Sequence, residues 1–526
     1  MRSLALSACL ASLLVTPLAA QRPAPPAPVA PADVDAIVAR AMRSFEVPGI
    51  ALAIVKDGQV VVAKGYGVRK LGDAAPVDAR TRFGIASNSK LFTATALAML
   101  VEEGKLEWEA PVTRYLPGFA LADPFVTREL TVRDLLVHRS GLGLGAGDLL
   151  WWPTTDFSRK EIAERLRWIQ PTTSFRSAYA YDNVLYLVAG ELVQAVTGMT
   201  WERFVASRIL EPLGMTGTRT DVSSVMEQGA NVAWPHARVE GRVRPVAPFT
   251  GDNSNPAAGI NASAADITKW MMAQLDSGRA GDRALWAPRS TRELWQVVTP
   301  LRASTNPELR PIRQRFAGYA LGLNVTDYRG WQKLHHTGGL PGFVSMITMV
   351  PDQRLGIAVF TNQESGEAFS AITNQLLDHY LRGGAPAVDW IAAYERIRAR
   401  NDSSVAAVER AAAASRDSSS RPSLPLARYA GSYTDPWYGD VTIALEGGRL
   451  VMRFSRTPML VGTLEHWQYD TFVVRWNDRE TRADAWVTFA LNPDGSIDQV
   501  KMAPASPSVD FSFDFQDLLL RPKKTK

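Results

Sequence analysis

The first part of the chain alternates between two spacings of apolar residues. Over residues 32–45, apolar side chains recur every three or four positions, which predicts an amphipathic helix. Pro48-Gly49 ends this helix. Residues 50–55 and 60–68 are then rich in β-branched side chains on either side of a Lys56-Asp57-Gly58 turn, which predicts a β-hairpin.

A second set of strand-like runs, separated by short polar or glycine turns, lies late in the same region. These runs predict the strands of an antiparallel meander, and they are residues 321–328, 334–338, 344–350 and 355–361. A helix over residues 367–381 closes the unit. A hairpin first, helices in the middle and strands last predict one α+β domain over residues 32–384, whose first and last strands share a sheet.

The pattern changes after residue 384. Residues 385–425 predict a polar helical linker, which ends in Asp417-Ser418-Ser419-Ser420-Arg421-Pro422. Residues 426–526 contain short β-runs at regular spacing and predict a small all-β domain, either a sandwich or a barrel. The runs are residues 429–433, 441–445, 450–454, 472–476, 485–491 and 497–502.

The N-terminus carries the pattern of an export signal. Arg2 precedes a mostly apolar stretch that ends in Ala19-Ala20, so residues 1–20 are predicted to be a cleavable signal peptide and residues 21–31 a proline-rich linker. We therefore expect a periplasmic or secreted protein. The alternative is a lipoprotein processed and anchored at Cys9.

Composition excludes several classes of protein. Of the 526 residues, 46% are hydrophobic and 21% charged, which is an ordinary globular composition. The net charge of +5 is small and the basic residues are dispersed, so no nucleic-acid partner is expected. Cys9 is the single cysteine, which excludes an intrachain disulfide. Beyond the signal, no apolar run is long enough to predict stable membrane insertion.

The first candidate for chemistry is the pair Ser87 and Lys90. A serine hydroxyl is barely ionised at neutral pH and needs a base to act as a nucleophile. Apolar residues after Lys90 recur at helical spacing, so a helix that begins near Ser87 puts Lys90 on the same face. Burial would lower the lysine pKa towards that of a useful base. The alternative is an ordinary surface serine and lysine, because Ser-x-x-Lys is expected about once by chance at this length.

The second candidate is Tyr181-Asp182-Asn183, which precedes the predicted helix over residues 184–195. Beside a lysine, Tyr181 can relay protons, and Asn183 can hydrogen-bond a substrate amide with both donor and acceptor. The alternative is a helix-capping turn in which Tyr181 packs on the core.

The third candidate is His335-His336-Thr337-Gly338-Gly339, within the final group of strands. Glycines there would let a substrate approach backbone N–H groups closely. The alternative is a metal site that uses both histidines. Neighbours on a strand point to opposite faces, and the other histidines lack zinc-like spacing, so we expect no metal and no cofactor.

Taken together, the three clusters resemble the motifs of the penicillin-recognising serine enzymes. Ser87-Asn88-Ser89-Lys90, Tyr181-Asp182-Asn183 and His336-Thr337-Gly338 occur in that family's order. The sequence is similar to the class C β-lactamase-related branch, with its esterases, D-aminopeptidases and D,D-peptidases. Three further segments also fit: residues 134–142, residues 256–267, and the continuation Gly339-Leu340-Pro341-Gly342-Phe343. The resemblance covers about residues 32–384 and implies a β-lactamase/transpeptidase-like fold. Residues 426–526 look like the β-rich, lipocalin-like domain often appended to such hydrolases.

The resemblance implies acyl transfer. Ser87 would attack a carbonyl, while Lys90 and Tyr181 would pass its proton to the leaving group. The backbone N–H groups of Ser87 and Gly339 would form the oxyanion hole. Asn183 would orient the acyl side chain. The implied partner is a small molecule or short peptide, and a homo-oligomer is left open.

His336 departs from the lysine of many β-lactamases. A histidine is mostly neutral at pH 7, whereas lysine keeps a fixed charge for a substrate carboxylate. We therefore rank peptide or ester hydrolysis above β-lactam hydrolysis. A non-catalytic penicillin-binding or wall-peptide sensor is the third interpretation.

The adjacent Trp151 and Trp152 predict either an apolar pocket wall or ordinary core packing.

Overall fold

The computed structural model describes residues 31–524, and it contains a large sheet with helices on both faces followed by a barrel. The predicted signal peptide, and the proline-rich linker except Pro31, lie outside the described residues. The helices are α1 (Pro31–Phe45), α2 (Ser89–Glu102), α3 (Pro124–Glu129), α4 (Arg159–Arg165), α5 (Val184–Thr197), α6 (Trp201–Val205), α7 (Asn255–Ala258), α8 (Ala264–Leu275), α9 (Pro288–Trp295), α10 (Gly366–Leu381) and α11 (Trp390–Ala414).

The strands before α10 form the sheet and three short ribbons. They are β1 (Gly49–Lys56), β2 (Gln59–Gly67), β3 (Phe83–Gly84), β4 (His236–Val239), β5 (Arg242–Pro245), β6 (Asn261–Ala262), β7 (Arg279–Ala280), β8 (Arg283–Ala284), β9 (Thr299–Leu301), β10 (Ala317–Tyr319), β11 (Asn324–Tyr328), β12 (Trp331–Leu340), β13 (Phe343–Val350) and β14 (Leu355–Thr361). The eight-stranded sheet has the order β2-β1-β14-β13-β12-β11-β10-β9. The expected pairing of first and last strands is confirmed, because β1 pairs antiparallel with β14.

Both faces of the sheet are covered, which explains why β1 is apolar throughout. Ile50, Leu52 and Ile54 pack in one cluster with α1, α10 and the start of α11. Their neighbours Ala51 and Ala53 face the opposite way, into the large core that contains α2. Successive side chains of a strand point to opposite faces, so a doubly covered strand needs apolar residues at every position.

Helix α2 lies inside the molecule and carries Lys90. Every residue from Ser89 to Leu100 is buried, with no polar face. A helix that is buried on every side is a core helix rather than a surface one. The predicted start needs a small correction, since Ser87 lies in a single 3₁₀ turn, Ala86–Asn88, and α2 begins at Ser89.

The C-terminal strands close into a barrel, which decides between the two architectures left open by the sequence. They are β15 (Gly431–Asp435), β16 (Gly439–Glu446), β17 (Arg449–Phe454), β18 (Val461–Gln468), β19 (Thr471–Trp476), β20 (Ala485–Leu491), β21 (Ile497–Pro504) and β22 (Leu519–Pro522). The α+β domain and the small all-β domain are both confirmed. Strands β18 and β22 were not predicted.

The barrel packs directly on the first domain. The Arg482 guanidinium forms a two-bond ion pair with Glu364, with distances of 2.6 and 2.7 Å. Arg165 donates to the Trp437 carbonyl over 2.9 Å. Aromatic rings also meet across the boundary, Trp152 with Phe513 and Phe157 with Tyr438, so the two domains share an interface of both apolar and charged contacts. Within residues 31–524, no single helix meets the length and hydropathy of a membrane span, and one bent pair, α5 with residues 201–210, meets them by length and composition alone.

Candidate active site

Ser87 lies on a strained turn that hydrogen bonds of Asn88 and Ser345 hold in place. Ala86 has a φ of 50°, in the left-handed region that non-glycine residues rarely adopt. The Asn88 amide donates to Ser345 Oγ over 2.8 Å, and that hydroxyl donates to the Ile85 carbonyl over 2.7 Å. Such strain persists only where the surroundings over-determine the turn, and it is concentrated at functional sites.

The Lys90 side chain reaches Ser87 directly. Its Nζ donates to Ser87 Oγ over 3.0 Å, to Asn183 Oδ1 over 2.7 Å and to the Ala257 carbonyl over 3.2 Å. The side chain is completely buried. Burial lowers the pKa of Lys90 to about 7, against the opposing influence of the Asp148 and Asp182 carboxyl groups.

This contact set suits a base as well as an ammonium. A neutral amine has two N–H donors and one lone pair. The two N–H groups can stay on Asn183 and Ala257, both fixed acceptors, which leaves the lone pair directed at the Ser87 hydroxyl. The buried lysine is therefore poised to accept the serine proton at neutral pH.

Tyr181 closes the other side of the same cluster. The Lys90 Nζ lies 4.9 Å from the centre of the Tyr181 ring. Burial raises the pKa of the Tyr181 phenol well above its ordinary value, and a hydrogen bond with Ser87 only partly offsets this. The phenol is thus protonated at neutral pH, and it lies within hydrogen-bonding reach of the Ser87 hydroxyl.

Asn183 binds protein groups at both ends of its amide. Its Oδ1 accepts from Lys90, and its Nδ2 donates to Asp148 Oδ2 over 2.8 Å. The sequence predicts that this amide orients a substrate side chain. In the structure it links Lys90 to the buried carboxyl group of Asp148, and its role towards a substrate stays a prediction.

His336 lies beside Tyr181, with 6.2 Å between the two ring centres. Its Nε2 lies 3.0 Å from the Tyr319 hydroxyl, and its Nδ1 lies 2.5 Å from the Thr337 carbonyl. Burial and the nearby Lys90 charge lower the pKa of His336 to about 3, so the imidazole is neutral. The neighbouring Thr337 is exposed, and His335 lies on the other face of β12.

Gly338 and Gly339 have different surroundings. A Cβ on Gly338 would lie 2.2 Å from the Ile85 carbonyl oxygen and 2.9 Å from the Ser87 nitrogen. On Gly339 it would meet only Val344, at 4.0 Å. The turn that carries Ser87 can therefore lie this close to β12 only because residue 338 has no side chain, while Gly339 borders open space. The pairing between β11 and β12 ends at His335. The rest of β12, from His336 to Leu340, therefore extends beyond β11 and lies beside Ser87.

His138, which no sequence argument selected, lies at the centre of the cluster. Its ring centre is 4.4 Å from that of Tyr181 and 4.6 Å from that of Tyr319. Its Nδ1 accepts the Asp182 N–H over 3.1 Å. Burial lowers the pKa of His138 well below its usual value, so it is neutral. The only signal for it was its place in the family-like segment over residues 134–142.

Asp148 is the second buried group that sequence reasoning missed. Its carboxylate accepts 2.8 Å hydrogen bonds from Trp151 Nε1, Asn183 Nδ2 and Ser512 Oγ. Burial raises the pKa of Asp148 to about 7 despite these donors. Ser512 belongs to the barrel. The loop between β21 and β22 thus reaches the network behind the candidate catalytic lysine.

Both interpretations of the tryptophan pair hold in part. Trp151 and Trp152 are buried, and Trp151 binds Asp148. Trp152 also lines a cavity of about 280 Å³ between the domains, beside Gly339, together with Phe249 and Phe513.

Between residues 31 and 524, no group of three or more His, Cys, Asp or Glu side chains is arranged to hold a metal ion.

Family models match both parts of the chain. The model described as Beta-lactamase matches residues 34–381, and the model described as Domain of unknown function (DUF3471) matches residues 415–522. The resemblance drawn from the three motifs is thereby confirmed.

Curated relatives and solved structures agree with these matches. The unguisins hydrolase ungD' of Aspergillus campestris is 28% identical over 496 residues, which span 89% of this chain and 88% of that protein. Penicillin-binding protein 4 of Amycolatopsis lactamdurans is 29% identical over 340 residues, 62% of this chain and 84% of that protein. The octameric penicillin-binding protein homologue of Pyrococcus abyssi superposes with a TM-score of 0.58 at 21% identity, covering 90% of this chain and 98% of that one. SurE, solved with D-Leu, superposes with a TM-score of 0.52 at 20% identity, covering 94% and 99%.

Proposed function

Because this chain belongs to the Beta-lactamase family of serine hydrolases and penicillin-binding proteins, we propose that it hydrolyses peptide or ester substrates through an acyl-enzyme at Ser87. The D-aminopeptidase, D,D-peptidase and esterase types are the substrate classes in view. One observation carries the proposal: a buried lysine with a pKa of about 7 lies 3.0 Å from the hydroxyl of a serine on a strained turn.

Acylation follows from this arrangement. The neutral Lys90 amine takes the proton of Ser87 as Oγ bonds to the substrate carbonyl carbon. The carbonyl oxygen becomes an oxyanion between the N–H groups of Ser87 and Gly339; losing one such donor costs about 3 kcal/mol in comparable enzymes. When the bond to the leaving group breaks, the Tyr181 phenol donates its proton to that group, and the Lys90 ammonium replaces it.

Deacylation reverses the roles with water as the nucleophile. Water gives a proton to the Lys90 amine while its oxygen bonds to the acyl carbon. The ester bond to Ser87 then breaks, and the serine oxygen recovers a proton from the ammonium. The products are a carboxylic acid and the free enzyme, with no change in redox state.

The neutral imidazole of His336 favours peptides and esters over β-lactams. A pKa near 3 leaves no fixed positive charge at this position to pair with a β-lactam carboxylate. Steady nitrocefin turnover that is lost in Tyr181→Phe would reverse this preference. A non-catalytic sensor would acylate without turning over any substrate.

The test is covalent labelling followed by a substrate panel. A fluorophosphonate should label the purified protein at Ser87, and Ser87→Ala should abolish the adduct. The panel should contain D-Leu amide, L-Leu amide, short-chain p-nitrophenyl esters and nitrocefin. An adduct pattern identical in wild type and Ser87→Ala would overturn the proposal.

We propose in addition that the protein is exported. The support is the signal-like pattern of residues 1–20. Fractionation of cells that express the full chain should find the protein outside the cytoplasm, with Gln21 as its first residue. A mature protein that begins with lipid-modified Cys9 would instead establish the lipoprotein alternative.

A further inference from the structure

A serine of the C-terminal barrel is hydrogen-bonded into the network that holds the candidate base. We infer that Ser512 is a positioning residue for Lys90, acting through Asp148 and Asn183. This inference rests on the proposed acyl-enzyme function. It gives the barrel a direct part in catalysis by the other domain.

The network is continuous and buried from end to end. Ser512 Oγ donates to Asp148 Oδ2 over 2.8 Å, and the same oxygen accepts from Asn183 Nδ2 over 2.8 Å. Asn183 Oδ1 then accepts from Lys90 Nζ over 2.7 Å. Each of these four side chains is at most 4% exposed, so the network is shielded from bulk water.

The orientation of the Asn183 amide depends on Asp148. A carboxylate can only accept hydrogen bonds, so it binds the NH₂ end and directs the carbonyl oxygen towards Lys90. If the amide turned over, its NH₂ group would face the amine and compete with the lone pair needed for Ser87. Asp148 has two further donors, Trp151 at Oδ1 and Ser512 at Oδ2, and these fix its plane.

The surrounding backbone shows that the barrel loop is docked here. Asp514 Oδ2 accepts the Gly147 N–H over 2.6 Å, immediately before Asp148. Gly145 lies so close to Phe511 that a Cβ would be 2.8 Å from its carbonyl oxygen. The Gly145 N–H in turn donates to the Tyr181 carbonyl over 2.9 Å. The loop of residues 511–514 therefore supports the segment that carries Asp148 at several points.

Charge coupling gives this role a measurable signature. The ionisable groups around Lys90 and Asp148 are Asp182, Asp514, Tyr181, Tyr186, His138 and His336. The Ser512 hydrogen bond lowers the pKa of Asp148, and the Asp148 charge raises the pKa of Lys90. Without Ser512, Asp148 holds its proton to higher pH, so Lys90 loses a facing negative charge and its pKa falls.

The experiment compares pH profiles of kcat/KM for the full-length protein with Ser512→Ala, Ser512→Thr and a matched control. Ser496→Ala is the control, because Ser496 also donates to an aspartate of the barrel, Asp494, over 2.6 Å, at the β20–β21 turn. We expect Ser512→Ala to lower the plateau about tenfold and to move the rising limb about half a pH unit down. Ser512→Thr should restore both, and Ser496→Ala should match wild type.

Two outcomes would overturn the inference. One is a rising limb in Ser512→Ala that coincides with wild type, since a loss of stability alone does not move that limb. The other is a shift of equal size in Ser496→Ala. Either result, obtained while the fluorophosphonate still labels Ser87, rejects the role of Ser512 and leaves the proposed function standing. Absence of Ser87 labelling in wild type rejects the function itself.

Discussion

The shortest hydrogen bond of Lys90 runs to Asn183, at 2.7 Å between Nζ and Oδ1. The acceptor is a neutral amide, although carboxyl groups lie nearby. A carboxylate in direct contact would hold the lysine as an ammonium, because an opposite charge within about 4–6 Å favours the charged form. The amide orients the amine while leaving its pKa close to 7.

Asn183→Asp should therefore move the rising limb of kcat/KM to higher pH. The new carboxyl group would share a proton with Asp148, so at least one negative charge would stay beside Lys90. We expect the limb to rise by about one pH unit or more. Asn183→Ala removes the acceptor without adding charge, so it should lower activity with no upward shift. Coincident limbs for Asn183→Asp and wild type would contradict this account.

Tyr181→Phe should discriminate between leaving groups. An amide needs a proton on its departing nitrogen, and the protonated phenol is placed to give it, whereas p-nitrophenolate leaves without one. We expect kcat/KM for a peptide amide to fall about 10²-fold or more, and acylation by a p-nitrophenyl ester to fall far less. Single-turnover measurements on both substrates test this. An equal loss on both would mean that Tyr181 acts as a base on Ser87.

Gly338→Ala should displace the turn that carries Ser87. Its new methyl group would overlap the Ile85 carbonyl, and a backbone atom cannot move aside as a side-chain end can. We expect a cost of about 1–3 kcal/mol in stability and slower labelling of Ser87. The matched variant is Gly339→Ala on the same strand, which should leave the thermal midpoint unchanged. Equal midpoints for the two variants would show that the turn tolerates the methyl group.

Asp134 should account for part of the acid sensitivity. Burial alone would raise its pKa, but hydrogen bonds from Arg176, Thr131 and Arg139 outweigh burial and hold the pKa below its ordinary value. A depressed folded pKa adds stability above the unfolded pKa, and that stability is lost as pH falls through the folded value.

Asp134→Asn should thus destabilise the protein at pH 7 by about 2 kcal/mol, below the range for a fully buried pair because both arginines keep some solvent contact. The difference from wild type should shrink as the pH falls below about 4. Urea denaturation across pH measures it, with the exposed Asp73→Asn as control. A difference that is constant with pH would contradict the argument.

The fold was predictable where the apolar pattern was strong. The hairpin of β1 and β2, and strands β13 and β14 of the meander, have largely apolar runs bounded by glycine or polar turns. Strands β18 and β22 were missed because barrel strands bury only alternate residues. In Val461–Gln468 the second half is largely polar and half-exposed, and Leu519–Pro522 ends in Arg521 and Pro522.

The sequence predicted only those residues of the site that belong to recognisable motifs. Ser87, Lys90, Tyr181, Asn183 and His336 were selected from three motifs, and the fold brings them together. Asp148 and Ser512 carry no local pattern, and they lie 364 positions apart. Their pairing is created by the docking of one domain on the other, which no spacing along the chain encodes.

The pairing of β1 with β14 also sets the order in which the molecule can assemble. Ile50 of β1 pairs with Thr361 of β14. The first strand made during synthesis therefore lacks its β14 partner until more than half of the chain has been made. Contacts of such long sequence separation slow folding, because the loop they close must be ordered first. Until β14 is made, the apolar surface of the β1–β2 hairpin stays uncovered and can aggregate. We therefore expect refolding from denaturant to be slow and dependent on protein concentration, and to be helped by a holdase chaperone.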